Sequence, residues 1–135
     1  MKKLLIVFSA LVVLLSFNTA ASANTIIDKS EINMKPNTYS VMTTRAITVP
    51  DGAWLGVYVD DKGVSDWQHE WLTWEVYSPD TKQVINLPDS GDYNNVIGVP
   101  AGRYILKLSC WYKNGDLLTR SYGCSATGIL SSQYK

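Results

Sequence analysis

Apolar and polar side chains alternate with a period of two along much of the chain. In AWLGVYVDD, the apolar residues Leu55, Val57 and Val59 occupy every second position. The same spacing recurs in RYILKLSCWY, residues 103–112. Successive side chains of a β-strand point to opposite faces of a sheet, whereas a helix repeats about every 3.6 residues. The pattern therefore predicts strands that each bury one face.

Turn-forming clusters separate these runs. PDG, PDSGD and KNGD carry the Pro, Gly, Asn and Asp residues that favour tight turns. Short strands between such turns are typical of antiparallel sandwiches and barrels. We predict an all-β fold, an antiparallel β-sandwich of jelly-roll or immunoglobulin-like type with about seven or eight strands. The predicted strands cover residues 25–33, 39–49, 53–60, 71–78, 82–87, 94–99, 103–112 and 117–126.

Two local pairings follow from the turns. The segment 79–87 is expected to pair back on 71–78 around Ser-Pro-Asp at 78–80. The last two strands are expected to form a hairpin with Asn114 and Gly115 at the bend, because Asn-Gly suits a two-residue hairpin turn.

The N-terminus has the layout of a secretory signal peptide. A basic start precedes an apolar run, residues 4–17, and Ala-Ser-Ala then supplies the small residues that signal peptidase accepts. The run is shorter than the about 20 apolar residues of a membrane-spanning helix, and no second such run follows. We predict that residues 1–23 are a signal peptide and that residues 24–135 form one secreted domain, extracellular or associated with the cell wall.

Charge and histidine content narrow the possible partners. The chain has 12 Lys and Arg, 12 Asp and Glu, and one His. Removal of the signal peptide takes away Lys2 and Lys3 and leaves a net charge of about −2. The remaining basic residues are scattered singly, so no nucleic-acid binding is expected. A single histidine argues against most zinc sites and against His-based catalysis.

The two cysteines, Cys110 and Cys124, are predicted to form a disulfide because export exposes them to an oxidising environment. A tight hairpin at Asn114-Gly115 opposes this, since it places Cys110 opposite about residue 119 and Cys124 some 16 Å away at ~3.3 Å per residue. Bridging needs Cα atoms within about 7 Å. The bridge therefore requires a bulge near Gly123 or a chain that bends back after Arg120; otherwise the thiols stay apart.

The stretch DWQHEWLTWEVY, residues 66–77, has two interpretations. As a helix, it would place Trp67, Trp71 and Trp74 on one face. As a strand from position 71, it would bury Trp74 and turn Trp71 outward. We favour the strand, because its residues are β-formers and a Ser-Pro-Asp turn ends the run.

Outward-facing aromatic residues define the candidate site. Trp and Tyr carry a flat apolar ring with a polar group, which suits surfaces that bind ligands. If the outer faces belong to one sheet, the rings form a stripe on which sugar rings can stack. The candidate ligand-binding residues are Trp54, Tyr58, Trp71, Glu75, Tyr77 and Trp111. We predict a secreted, non-catalytic binding module for cell-envelope or extracellular carbohydrate. The alternative is a secreted protein-interaction protein, such as an inhibitor, effector or matrix component.

The phrase VPAGRYILKL, residues 99–108, resembles the final turn and strand of secreted jelly-roll sandwiches such as the bacterial pre-peptidase C-terminal domain. The resemblance implies the architecture. It places Pro at a strand end, Gly in the turn and Tyr104 at the start of the next inward row.

The remaining polar clusters predict no catalytic or metal site. Asp60, Asp61 and Asp66 crowd one loop and could hold calcium, but their spacing matches no calcium loop, so we favour a solvated turn and expect no cofactor. Glu70 and Glu75 could be nominated as glycosidase carboxylates, although nothing in their spacing selects them. No enzyme activity is expected.

Overall fold

The computed structural model describes residues 24–135, and the predicted signal peptide, residues 1–23, lies outside them. The described residues form nine strands, slightly more than predicted. No helix in this range is long and apolar enough to cross a membrane. The strands are β1 (Thr25–Met34), β2 (Val41–Thr43), β3 (Ile47–Val49), β4 (Trp54–Val64), β5 (Glu70–Tyr77), β6 (Tyr93–Gly98), β7 (Gly102–Asn114), β8 (Leu117–Arg120) and β9 (Cys124–Tyr134).

Two antiparallel sheets pack face to face, which confirms the predicted β-sandwich. The first sheet has the order β1-β9-β4-β6. In the second sheet every strand pairs with β7. Strands β2 and β5 both pair with residues 107–109 of β7, so they lie on opposite edges of β7. Strands β3 and β8 pair with the two ends of β7.

The alternating rows meet between the sheets as predicted. Trp74 is only 2% exposed, and its indole N–H donates a hydrogen bond to the Gly91 carbonyl at 3.0 Å. Tyr104 begins the inward row of β7, and its hydroxyl donates to the Pro100 carbonyl at 2.7 Å. The strand interpretation of residues 71–77 is confirmed, and the helical alternative is wrong.

The predicted strand 39–49 is two strands, because one extra residue interrupts its pairing with β7. Thr43 lies opposite Lys107, whereas Ile47 lies opposite Tyr104, so four steps along one strand match three along the other. Such an insertion is a β-bulge. At the break, the side-chain oxygen of Thr44 accepts the Leu106 backbone N–H at 3.0 Å in place of a backbone carbonyl.

The predicted strand 82–87 pairs back on β5 but is not a regular strand. Tyr77 forms an isolated bridge with Val84, and the Ile85 N–H donates to the Val76 carbonyl at 2.8 Å. Lys82 has a positive φ of 60°, and Pro88 has no N–H to donate. The segment therefore runs beside β5 as an irregular edge.

The predicted strand 117–126 is wrong, because the chain changes sheets within it. Strand β8 ends at Arg120, and β9 then runs between β1 and β4 in the first sheet. Most of β9 lies beyond the predicted strand, which ends at residue 126. Its pattern is hidden by small residues, since the inward positions include Gly128 and Ser132 rather than large apolar side chains.

Cys110 and Cys124 form a disulfide with their Cα atoms 5.7 Å apart. The hairpin is also tight, but its bend lies at Gly115 and Asp116 rather than at the predicted Asn114 and Gly115, since Asn114 pairs with Leu117. The two expectations are compatible because the chain bends back after Arg120, and the bridge links β7 of the second sheet to β9 of the first.

Candidate functional site

The six predicted ligand-binding residues lie on two surfaces that face away from each other. Each alternates with a buried neighbour and therefore points outward from its sheet. One continuous aromatic stripe does not form, because the strands concerned belong to different sheets. The outer face of the second sheet carries Trp71, Glu75, Tyr77 and Trp111, and the outer face of the first sheet carries Trp54 and Tyr58.

The outer face of the second sheet contains a concavity of about 440 Å³, here named the Trp111 cleft. Its floor comes from β5 and β7, its wall from the irregular segment 84–89, and one end from β8. The polar and aromatic residues that line it are Thr73, Trp74, Glu75, Asp89, Lys107, Ser109, Trp111 and Arg120. Trp71 is the direct cross-strand neighbour of Trp111 but lies outside the cleft.

Charged groups in the Trp111 cleft are held in fixed positions. The Lys107 ammonium lies 2.7 Å from a carboxylate oxygen of Glu75, its cross-strand partner. The Arg120 guanidinium lies 3.7 Å from the centre of the Trp111 ring, a cation–π contact. The Trp111 indole N–H donates to the Thr73 hydroxyl at 2.9 Å, which fixes the ring.

The outer face of the first sheet contains a smaller depression of about 120 Å³, here named the Gln133 groove. Gly56 forms part of its floor, and a Cβ atom at this position would collide with the Ser131 hydroxyl. Its remaining lining is uncharged and includes Tyr58, Asn94 and Gln133. A neighbouring depression of about 200 Å³ shares Tyr58 and Asn94 with the groove, so the Tyr58 ring lies between two hollows.

Gln133 is the least expected residue of this groove. It is 8% exposed, and its side-chain amide makes no hydrogen bond with another residue of the described range. The only fully enclosed, unpartnered side-chain polar atom among residues 24–135 is the hydroxyl oxygen of Ser132. The Gln133 amide therefore still opens into the groove, where a ligand can reach it.

Trp54 lies at the edge of this surface, directly opposite Gln133 on β9. A Cβ atom at Gly98 would lie 3.6 Å from the Trp54 ring, so the ring packs over the Gly98 backbone. The Lys135 ammonium lies 3.7 Å from the centre of the indole. A sugar that stacks on this indole must therefore displace Lys135.

The acidic residues that were predicted to share one loop have their own hydrogen bonds, and Asp60 and Asp61 lie in β4 rather than in a turn. Asp61 accepts the Gly63 N–H at 3.0 Å, and an oxygen of Asp66 lies 2.9 Å from a His69 ring nitrogen. The hydrogen bond from His69 is the main reason that the pKa of Asp66 is lowered. Asp60 lies 4.0 Å from the Lys62 ammonium. No group of three or more His, Cys, Asp or Glu side chains that could hold a metal ion occurs in residues 24–135.

Glu70 has a structural role that the sequence does not reveal. Its carboxylate accepts hydrogen bonds from the Ser65 hydroxyl and the Asp66 N–H, both at 2.8 Å, and from the Ser121 hydroxyl. Burial alone would raise the pKa of Glu70, but these hydrogen bonds outweigh it and lower the pKa. Because Glu70 shares the inward-facing row of β5 and Glu75 the outward one, the two carboxylates cannot flank one glycosidic bond.

Exposed apolar residues gather at one end of the sandwich. Trp67 is 80% exposed, in the loop between β4 and β5. The Ser65 N–H donates to the Gly123 carbonyl at 3.0 Å, and the Lys113 N–H to the His69 carbonyl at 2.8 Å, so this loop is tied to both ends of the β8 region. The other large exposed residues there are Leu117, Leu118 and Tyr122, at 59%, 54% and 55%.

No protein-family model matches the chain, and no curated protein is detectably similar to it in sequence.

Proposed function

We propose that this protein is a secreted, non-catalytic binding module that holds a neutral glycan in the Gln133 groove. The observation that carries the proposal is the Gln133 amide, which is largely buried yet has no hydrogen-bond partner among the described residues. Because the amide opens into the groove, its oxygen acceptor and its N–H donors are accessible and are not used by another residue of the described range. A ligand hydroxyl can both donate to and accept from such an amide.

The lining of the groove suits a sugar without charge. Asn94 and Ser131 add further neutral hydrogen-bonding groups beside Gln133. The Tyr58 ring offers a flat surface to the C–H groups of a sugar, whose slight positive charge complements the negative face of an aromatic ring. Because Tyr58 separates two hollows, the surface suits a chain of sugars rather than one.

The flat floor favours a ligand that lies along the strand. Trp54 and Tyr58 point to the same side of β4, and the Ser131 hydroxyl fills the space over Gly56 between them. These two positions are four residues apart, or about 13 Å along a strand. Such a span accommodates more than one sugar unit with a ring near each end.

The positions of the Glu70 and Glu75 carboxylates support a non-catalytic role. Glu70 is occupied by three hydrogen bonds inside the fold, and Glu75 forms an ion pair with Lys107 on the opposite sheet from the groove. Glycoside hydrolysis generally needs two carboxylates on either side of one bond. The Gln133 groove itself is lined by no carboxylate. The adjoining hollow contains Asp60 and Asp92, but the Asp92 carboxylate accepts the Asp61 N–H at 2.8 Å, and Asp60 lies 4.0 Å from the Lys62 ammonium.

A second candidate function is protein binding at the end of the sandwich. It is favoured by the exposure of Trp67, Leu117, Leu118 and Tyr122, because large aromatic and aliphatic side chains dominate protein interfaces.

Pull-down on insoluble cellulose, chitin and peptidoglycan tests the first proposal. We expect wild-type protein to bind at least one of them, and Tyr58→Ala and Gln133→Leu to lose that binding. Tyr77→Ala is the matched control, because Tyr77 is also a half-buried, outward-facing strand tyrosine but lies on the other sheet. Loss of binding in Tyr77→Ala but not in Tyr58→Ala would contradict the assignment to the groove.

A further inference from the structure

Arg120 differs from the other arginines of the domain in its electrostatic partner. Arg45 pairs with Asp28, and Arg103 pairs with Asp80 through two of its nitrogens. Arg120 instead lies on the Trp111 ring and forms no salt bridge with a residue of the described range. A guanidinium has five N–H donors in a planar fork. Contact with a ring face leaves that fork open at its edge.

The position of Arg120 is set by its neighbours. It lies directly opposite Trp111 across the β7–β8 hairpin, and Trp111 is in turn fixed by its hydrogen bond to Thr73. Stacking on an aromatic face is a typical way in which Arg is held without loss of its hydrogen-bonding capacity. The guanidinium is therefore presented at one end of the Trp111 cleft as a preorganised anion-binding group.

A second polar group in the cleft also has no partner. Ser109 is 5% exposed, faces outward on β7, and its hydroxyl makes no hydrogen bond to another described residue. It is not among the fully enclosed polar atoms, so it remains accessible from the cleft that it lines. A ligand hydroxyl would satisfy it.

The remaining groups decide which anion fits. Lys107 forms a salt bridge with Glu75. Arg120 is therefore the cation lining the cleft that forms no salt bridge with a carboxylate of residues 24–135. Asp89 also lines the cleft and would repel a highly charged ligand. Leu87 and Pro88 form an apolar wall. A singly charged ring compound with hydroxyl groups matches this combination better than a phosphate.

We propose that the Trp111 cleft binds a carboxylate-bearing sugar, with the carboxylate on Arg120 and a ring hydroxyl on Ser109. The volume of about 440 Å³ lies within the range of about 300–1,000 Å³ that is usual for small-molecule sites. This site is separate from the Gln133 groove, because the two lie on opposite outer faces of the sandwich.

An NMR titration with glucuronate, glucose and acetate, at matched ionic strength, tests this proposal. The readouts are the Trp111 indole N–H and the Ser109 backbone N–H resonances. We expect both resonances to shift with glucuronate, and glucose and acetate to bind at least about tenfold more weakly, the scale of one charge-assisted hydrogen bond. Equal affinity for acetate would reduce the cleft to a simple anion site and overturn the proposal, as would equal affinity for glucose.

Variants identify the residue responsible. Arg120→Gln should weaken glucuronate binding by about tenfold or more, because it removes the charged fork and keeps a polar side chain. Arg120→Lys should recover only part of the affinity, since an ammonium cannot bind a carboxylate through two parallel hydrogen bonds. Lys113→Gln is the matched control, because Lys113 is an exposed cation on the same hairpin outside the cleft. Equal losses in Lys113→Gln and Arg120→Gln, or none in Arg120→Gln, would overturn the assignment.

Discussion

Ser131 on β9 lies directly opposite Gly56 on β4, and its hydroxyl occupies the space that a side chain at position 56 would need. The two residues together make the floor of the Gln133 groove flat. Gly56 is itself buried, so the Ser131 side chain rather than the Gly56 backbone forms the outer surface at this point.

Gly56→Ala is therefore expected to lower the free energy of unfolding by about 1 kcal/mol or more, the usual scale of overpacking. Adding Ser131→Ala should recover most of the loss, because a Cβ atom at position 56 would lie 3.8 Å from the Ser131 Cβ, an ordinary contact. Urea unfolding of the four proteins in this double-mutant cycle measures the coupling. Independent, additive effects of the two substitutions would contradict this packing.

The tryptophans of residues 66–77 should differ sharply in their effect on stability. Trp74→Ala is expected to reduce the free energy of unfolding by about 3–5 kcal/mol, because it empties a large core position. Trp67→Ala should change it by less than about 0.5 kcal/mol, since that ring is 80% exposed. Chemical denaturation measures both, and similar losses at the two positions would be inconsistent with the fold.

Local pattern predicted the faces of strands but not the order of strands. The alternation around Trp74 and Leu55 correctly separates inward from outward side chains. It could not show that Trp54 and Trp71 lie on different sheets, because strand order depends on contacts between distant parts of the chain. That single fact divided the predicted site into two surfaces.

The residues that matter most in the two surfaces were missed for physical reasons. Gln133 lies in a run of small polar residues, where a period of two is not visible in hydrophobicity. Arg120 was missed because the predicted bend at Asn114 and Gly115 places Leu118 opposite Trp111, whereas in the structure Asn114 pairs with Leu117 and Trp111 with Arg120. Ser109 appears as one of many serines until its burial is known.

Acid should weaken the contribution of Glu70 to stability. Because hydrogen bonds lower its pKa in the folded protein below the ordinary value of 4.5, the stabilisation is present above that pH and disappears as the pH falls through the folded-state pKa. Glu70→Gln should cost about 1–2 kcal/mol at pH 7, and the difference from wild type should shrink at pH 3. Denaturation at both pH values measures this. If the stability difference between wild type and Glu70→Gln grew on acidification, the pKa of Glu70 would be raised rather than lowered in the folded protein.

Ser132 offers a test of the core. Ser132 is 0% exposed, and its hydroxyl has no hydrogen-bond partner in the described range. Removing an unsatisfied buried hydroxyl is nearly neutral or stabilising, so Ser132→Ala should raise the free energy of unfolding by up to about 1 kcal/mol. Thermal unfolding with Ser131→Ala as the neighbouring comparison measures it. A clear loss of stability in Ser132→Ala would mean that the hydroxyl has a partner in solution.

The most direct measurement of the central claim follows the Gln133 side-chain amide by NMR during titration with cellotetraose and chitotetraose. The account predicts that both amide protons of Gln133 shift and saturate with at least one of these neutral oligosaccharides, together with the Tyr58 ring, while Trp67 and Trp111 do not respond. Saturable shifts that are confined to Trp67 and Tyr122, or to the Trp111 cleft, would contradict it. The absence of any shift with both oligosaccharides would also contradict it.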